Sequence, residues 1–113
     1  MSLILSQSDC FWTDLARRVD WYREQAGSEV AVHLVDAVEV TLGELAVTPG
    51  LGRLRFRRWP ELAGLRSWRV VKPFHRHLIF YRFDEQHLYV ERLIHGTRDL
   101  PRRLRLSPDE ESE

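Results

Sequence analysis

Residues 67–104, SWRVVKPFHRHLIFYRFDEQHLYVERLIHGTRDLPRRL, decide how this chain folds. Two segments within them, 77–84 (HLIFYRFD) and 87–94 (HLYVERLI), are rich in β-branched and aromatic residues. They flank Asp84-Glu85-Gln86, and two such runs around a short polar turn form a β-hairpin. Two-residue alternation places Leu78, Phe80 and Arg82 on one face of the first strand, opposite Ile79, Tyr81 and Phe83. In the second strand it sets Leu88, Val90, Arg92 and Ile94 against Tyr89, Glu91, Leu93 and His95. A preceding strand is expected at about 65–71, stopped by Lys72-Pro73, because proline donates no ladder hydrogen bond. After the hairpin, Pro101 begins a final helical turn with Asp99 near its cap. Strands studded with Arg and His carry cations on the sheet surface, a pattern suited to an anionic partner or substrate.

Upstream the period changes from two to about 3.6. Residues 2–6 (SLILS) form a short apolar run, read as a first strand. Ser8-Asp9 then offers a helix N-cap, followed by Trp12, Leu15, Ala16, Val19, Tyr22 and Ala26 at helical spacing. Gly27 can close that helix with positive φ. Ser28 is read as the cap of a second helix with the stripe Ala31, Leu34, Val35, Val38, Leu42 and Leu45. Residues 48–52 (TPGLG) stop it. Helices joined by one or two residues fold back as an antiparallel hairpin, and their apolar faces need a sheet to cover them. Residues 53–58 (RLRFRR) are a short strand or an extended basic loop before Trp59-Pro60. The expected architecture is α+β: an N-terminal strand, an antiparallel helical hairpin packed on one face, and a three-stranded antiparallel sheet.

With 113 residues, the chain suits one domain, read as 1–105, with 106–113 an acidic tail expected to lack fixed structure. No apolar run reaches the roughly 18 residues that span a bilayer, and the N-terminus lacks signal-peptide features. The single cysteine, Cys10, offers no internal disulfide, so a cytoplasmic location is expected. The net charge of zero conceals an asymmetry. Residues 1–52 carry three Arg against eight acids, whereas residues 53–105 carry thirteen Arg and one Lys against five acids. The basic half is the candidate anion-facing surface. His75 and His77, two apart, invite a metal reading, but no further ligand stands at suitable spacing; neither metal nor cofactor is expected.

Three sequence pieces carry a resemblance. They are Pro49-Gly50-Leu51-Gly52-Arg53; Gly64-Leu65-Arg66-Ser67-Trp68 followed by 76–82 (RHLIFYR); and 92–100 (RLIHGTRDL). In this order, after Leu5-Ser6-Gln7-Ser8 and Asp20-Trp21-Tyr22, they resemble the RelE/ParE superfamily of type II toxin–antitoxin toxins over roughly residues 3–104. The resemblance implies a small growth inhibitor, of the kind linked to plasmid stabilisation, neutralised by a cognate antitoxin. RelE-like members cut messenger RNA on the ribosome with a set of basic residues and a tyrosine or histidine. ParE-like members lack that set and poison DNA gyrase.

Mapped onto the ribonuclease pattern, Arg98 matches the arginine after the last strand and Arg69 the first of two strand lysines. The second lysine falls on Val71 and the tyrosine near Leu104. His-Gly-x-Arg-Asp-Leu at 95–100 is similar to ParE-like members, so that branch is favoured and a non-enzymatic mode is expected. On this reading Arg69, Arg76, Arg82, Arg92, His95 and Arg98 contact the target. Arg53, Arg55, Arg57, Arg58 and Trp59 contact the antitoxin, with which the chain would form a hetero-oligomer unless it pairs as a homodimer. The alternative is a metal-independent endoribonuclease acting on ribosome-bound messenger through Arg69, His95 and Arg98. A third reading is a non-toxic member that only binds an antitoxin.

Overall fold

The computed structural model describes residues 1–96 and 98–111, with the Glu111 side chain outside the description. Thr97 of the His-Gly-Thr-Arg motif and the last two residues of the tail therefore lie outside the described residues. β1 (Ile4–Gln7) leads into α1 (Asp9–Ala26) and α2 (Ser28–Val47), then β2 (Arg53–Leu54), β3 (Arg66–Arg69), β4 (His77–Phe83) and β5 (His87–His95). Two short helices follow, α3 (Leu100–Leu104) and α4 (Pro108–Glu111). The strands form one five-stranded sheet ordered β1-β5-β4-β3-β2. The expected three antiparallel strands are its centre. β1 joins parallel to β5, and the two-residue β2 extends the other edge, so the basic segment after α2 is first a strand and then a loop.

Ser8 sets the start of α1. Its Oγ accepts from the Phe11 amide at 3.0 Å and donates to the Glu91 carbonyl at 2.7 Å, capping the helix and fastening it to β5 together. The buried face of α1 is led by Phe11 and Leu15 rather than by Trp12, which is half exposed. Gly27 ends α1 at φ 97°, a conformation that costs a residue without Cβ little. It also stands at the N-cap of α2, so Ser28, expected as that cap, is instead the first helical residue. Of the expected α2 stripe, Ala31, Leu34, Val38, Leu42 and Leu45 are buried, whereas Val35 is only partly so.

The first core lies between the helical hairpin and the sheet, joining Phe11, Leu34 and Leu45 to Ile79, Tyr81, Leu88, Val90 and Leu93. A smaller core on the opposite face joins Leu62, Leu65, Leu78, Phe80, Ile94 and Leu100, roofed by Phe56, Trp59 and Leu104. Membership of the first core corrects the alternation expected along β5. Phe80 pairs with Arg92 but Tyr81 pairs with Val90, leaving Glu91 as an extra residue in the ladder. This bulge switches parity, so Leu93 joins Leu88 and Val90 on the helix-facing side.

Tyr81 locks the turn after α2. Its hydroxyl donates to the Pro49 carbonyl at 2.7 Å and accepts from the Gly52 amide at 2.8 Å. A Cβ at Gly52 would overlap that phenol, which explains the glycine. Thr41, fully buried, donates to Ala37 and accepts from the Val71 amide at 3.0 Å, tying α2 to the end of β3. The acidic tail departs from the structureless segment its composition suggests. Residues 108–111 make one helical turn, Pro108 is buried, and Arg17 bonds the Pro108 carbonyl and Asp109. No helix among the described residues is long and apolar enough to cross a membrane.

Candidate functional site

At one end of the sheet β4 begins beside the end of β5, and His77 pairs with His95 across the ladder. The His77 ring is 1% exposed, and its Nδ1 lies 3.1 Å from the Phe74 carbonyl. A carbonyl oxygen can only accept, so the neutral ring carries its proton on Nδ1. Nε2 is then a lone-pair acceptor, and it has no partner. Burial, helped by His95 and by the Arg18 charge, pushes the His77 pKa down to about 4 against the opposing pull of the Phe74 bond. The His95 ring stands 4.8 Å away at 61°. Desolvation, then the charges of Arg18, Arg76 and Arg103, hold it below the usual histidine value. Two neutral imidazoles thus sit within a positive field at neutral pH.

The arginines expected to face a target divide into distinct groups. Arg92 is 5% exposed and runs inward. It forks onto Asp14 of α1 at 2.7 and 3.0 Å, and its third nitrogen donates to the Arg103 and Leu106 carbonyls, both at 2.9 Å. Asp14 also accepts from the Leu93 amide at 3.0 Å. Arg92 therefore holds α1, β5 and the C-terminal segment together, because its own chain supplies every acceptor. Arg82 is likewise engaged, pairing with Glu91 and donating to the Ala63 and Glu61 carbonyls. Arg76, His95 and Arg98, by contrast, are exposed around the end of β5, where Arg103 donates to the carbonyls of both His95 and Arg98 at 3.3 Å. Arg69 lies elsewhere, on the last residue of β3, with its guanidinium on the His75 carbonyl at 2.9 Å. His75 belongs to the turn before β4, so it does not share a strand face with His77 despite the two-residue spacing.

A second feature runs along β3. β2 pairs only with Arg66 and Ser67, leaving the following residues without a neighbouring strand on that side. Beside this open edge lies a groove of about 580 Å³ lined by Arg53, Arg55, Trp68, Arg69 and Lys72. Of the residues expected to meet an antitoxin, Arg53 and Arg55 line this groove. Arg57 and Arg58 are exposed on the following loop. Trp59 packs against the smaller core beneath the Arg105 guanidinium, 4.6 Å from its ring. An open edge with an apolar floor and basic rim can add an extended acidic peptide as a further strand.

The family model described as ParE toxin of type II toxin–antitoxin system, parDE, matches residues 5–100. This chain belongs to that ParE toxin family. Among solved structures, it is similar to the chromosomal ParDE system of P. aeruginosa, at 18% identity and a TM-score of 0.69, over 85% of this chain and 98% of that one. It is also similar to the toxin–antitoxin complex RelBE2 of Mycobacterium tuberculosis, at 20% identity and a TM-score of 0.55, over 84% and 99%. At these identities the likeness concerns the fold. No curated protein matched the sequence.

In this ParE family member, Val71 packs against the first core and Leu104 against the second. The positions where the ribonuclease pattern asks for a lysine and a tyrosine thus hold packed apolar side chains. Sequence reading overlooked Arg18 and Trp21 on α1 and Arg102 on α3, which meet the sheet end in space. A faint signal existed: Arg18 and Trp21 are three apart, the spacing of one helical face.

Proposed function

We propose that this protein is a growth-inhibiting toxin that acts by binding and poisoning DNA gyrase, without catalysis, in the cytoplasm. A cognate antitoxin would neutralise it. The observation that carries the reading is the family match over residues 5–100, combined with the apolar Val71 and Leu104. A ribonuclease of this fold needs groups that move a proton and neutralise charge at the phosphate, and neither residue does so. Arg69, Arg76, His95 and Arg98 are the proposed target contacts; Arg82 and Arg92 are excluded because the chain itself occupies them.

The antitoxin partner is supported by the solved relatives, both from toxin–antitoxin systems, and by the open β3 edge. Arg53, Arg55, Arg57 and Arg58 would supply charge complementarity and raise the association rate. The test sets antitoxin-free protein in parallel against gyrase supercoiling with cleavage-complex readout and against messenger RNA on programmed ribosomes. Inhibition confined to gyrase is expected. Codon-register cuts on the ribosome would overturn the reading and make Arg69, His95 and Arg98 catalytic.

A further inference from the structure

A cleft of about 460 Å³ opens on the α1 side of the sheet end, away from the β3 groove. Its lining includes Arg18 and Trp21 of α1, His77 and His95 at the sheet end and Arg102 of α3, beside the Asp14–Arg92 pair. Neither Arg18 nor Arg102 has a carboxylate partner among the described residues, although the chain satisfies Arg17, Arg82, Arg92 and Arg105 from its own acids. An unneutralised pair of guanidiniums beside a shielded cleft attracts an anion, and planar forks of N–H donors match phosphate oxygens. The Arg18 guanidinium lies 5.3 Å from the Trp21 ring, and that indole remains half exposed.

His77 adds an independent constraint. A fully buried, unpartnered Nε2 acceptor lines a cleft otherwise rich in donors. A fully ionised oxygen cannot satisfy it, since acceptor would face acceptor; a hydroxyl can. The exposed His95 ring packs 4.8 Å from the His77 ring, and in this proposal it turns aside to admit the ligand to Nε2. A ligand that combines a phosphate for Arg18 and Arg102, a hydroxyl for His77 and a flat face for Trp21 meets all of these groups at once. We infer that this cleft binds a nucleoside monophosphate unit through Arg18, Trp21, His77 and Arg102. The inference does not depend on gyrase being the target, since three of these four residues lie on α1 and α3, outside the proposed target contacts.

The unit can come from a free nucleotide or from the phosphorylated end of a nucleic acid. The experiment is an NMR titration of the full-length, antitoxin-free protein with inorganic phosphate, AMP and a 5′-phosphorylated dinucleotide, observing the imidazole nitrogens and the Trp21 indole. AMP is expected to bind at least about tenfold more tightly than phosphate and to shift His77 Nε2. Arg18→Ala and Arg102→Ala should each lower that affinity about tenfold or more, while Arg23→Ala, outside the cleft, leaves it unchanged. Where an alanine variant loses its fold, the lysine replacement with its amide spectrum intact takes its place. Saturation by the dinucleotide with weaker AMP binding would identify a nucleic-acid end as the source and uphold the site. Equal affinity for phosphate and AMP, or no shift at His77 with any probe, would overturn the proposal. These outcomes are read without gyrase, so they are separate from the fate of the toxin mechanism.

Discussion

Replacing Arg92 with alanine should unfold the protein more than it impairs any contact. The side chain is 6% exposed and Asp14 9%, and the two share a bidentate pair. Truncation leaves a buried carboxylate with the Leu93 amide as its remaining partner outside the lost pair, and removes the donor that served Arg103 and Leu106. Removing one member of a buried, hydrogen-bonded pair costs about 3–5 kcal/mol. A domain of this size holds roughly 5–15 kcal/mol in total, so the loss is a large fraction, equivalent to a fall in Tm of about 15 °C. Urea denaturation of Arg92→Ala, Asp14→Ala and the double variant measures it. The double variant should lose much less than the sum of the singles, with a coupling of about 2 kcal/mol or more. If Arg92→Ala kept its urea midpoint within about 0.5 kcal/mol while losing toxicity, Arg92 would be a surface contact and the reasoning would fail.

His77 makes stability fall with acid. Its folded pKa of about 4 lies below the unfolded 6.5, so between those values the unfolded chain binds a proton that the folded chain refuses. The His77 contribution should therefore be lost between about pH 6.5 and about pH 4 and change no further below, amounting to about 2 kcal/mol after discounting the full linkage for screening at the open cleft. His77→Phe should flatten that part of the profile in denaturant melts across pH. Tyr81→Phe removes the donor to Pro49 and the acceptor for Gly52, costing about 1–3 kcal/mol by thermal melting. Thr41→Val is expected to cost a similar amount by orphaning the Val71 amide, whereas Thr41→Ser should recover most of it. Arg76→Ala should weaken gyrase inhibition with the melting temperature unchanged within about 2 °C, because no carboxylate among the described residues engages it.

The fold was legible wherever a period ran unbroken. The α2 stripe and the β4 alternation are local, and each residue's face follows from the spacing of its neighbours. Reading failed where geometry depends on something distant. The β5 bulge at Glu91 has no signal in its own segment, since alternation looks regular on either side of it. Phe11 displaces Trp12 from the core because α1 is rotated by its anchorage to β5 through Ser8 and Asp14, residues separated from that strand by nearly the whole chain. The histidines were visible as residues, but their neutrality requires burial at the closed sheet end and the Arg18 charge, which for His77 outweigh the pull of the Phe74 carbonyl. Neither cause can be read from the window of sequence that holds the histidines.

The same long-range pairing changes what the charge asymmetry means. Fourteen cations between residues 53 and 105 suggest a uniformly basic face, yet the fold consumes part of that charge internally. Asp14, from the acidic N-terminal half, cancels Arg92; Glu91, displaced by the bulge, meets Arg82; Glu61 meets Arg105. Of these three acids only Asp14 comes from the N-terminal half; Glu91 and Glu61 belong to the basic half itself, which thus neutralises part of its own charge. Cations with no carboxylate partner among the described residues, Arg18, Arg76 and Arg102 among them, keep an external field. Two of those three border the cleft whose buried histidine lacks a donor. An anionic ligand is drawn there by what folding leaves uncompensated, a narrower criterion than the number of arginines in the sequence.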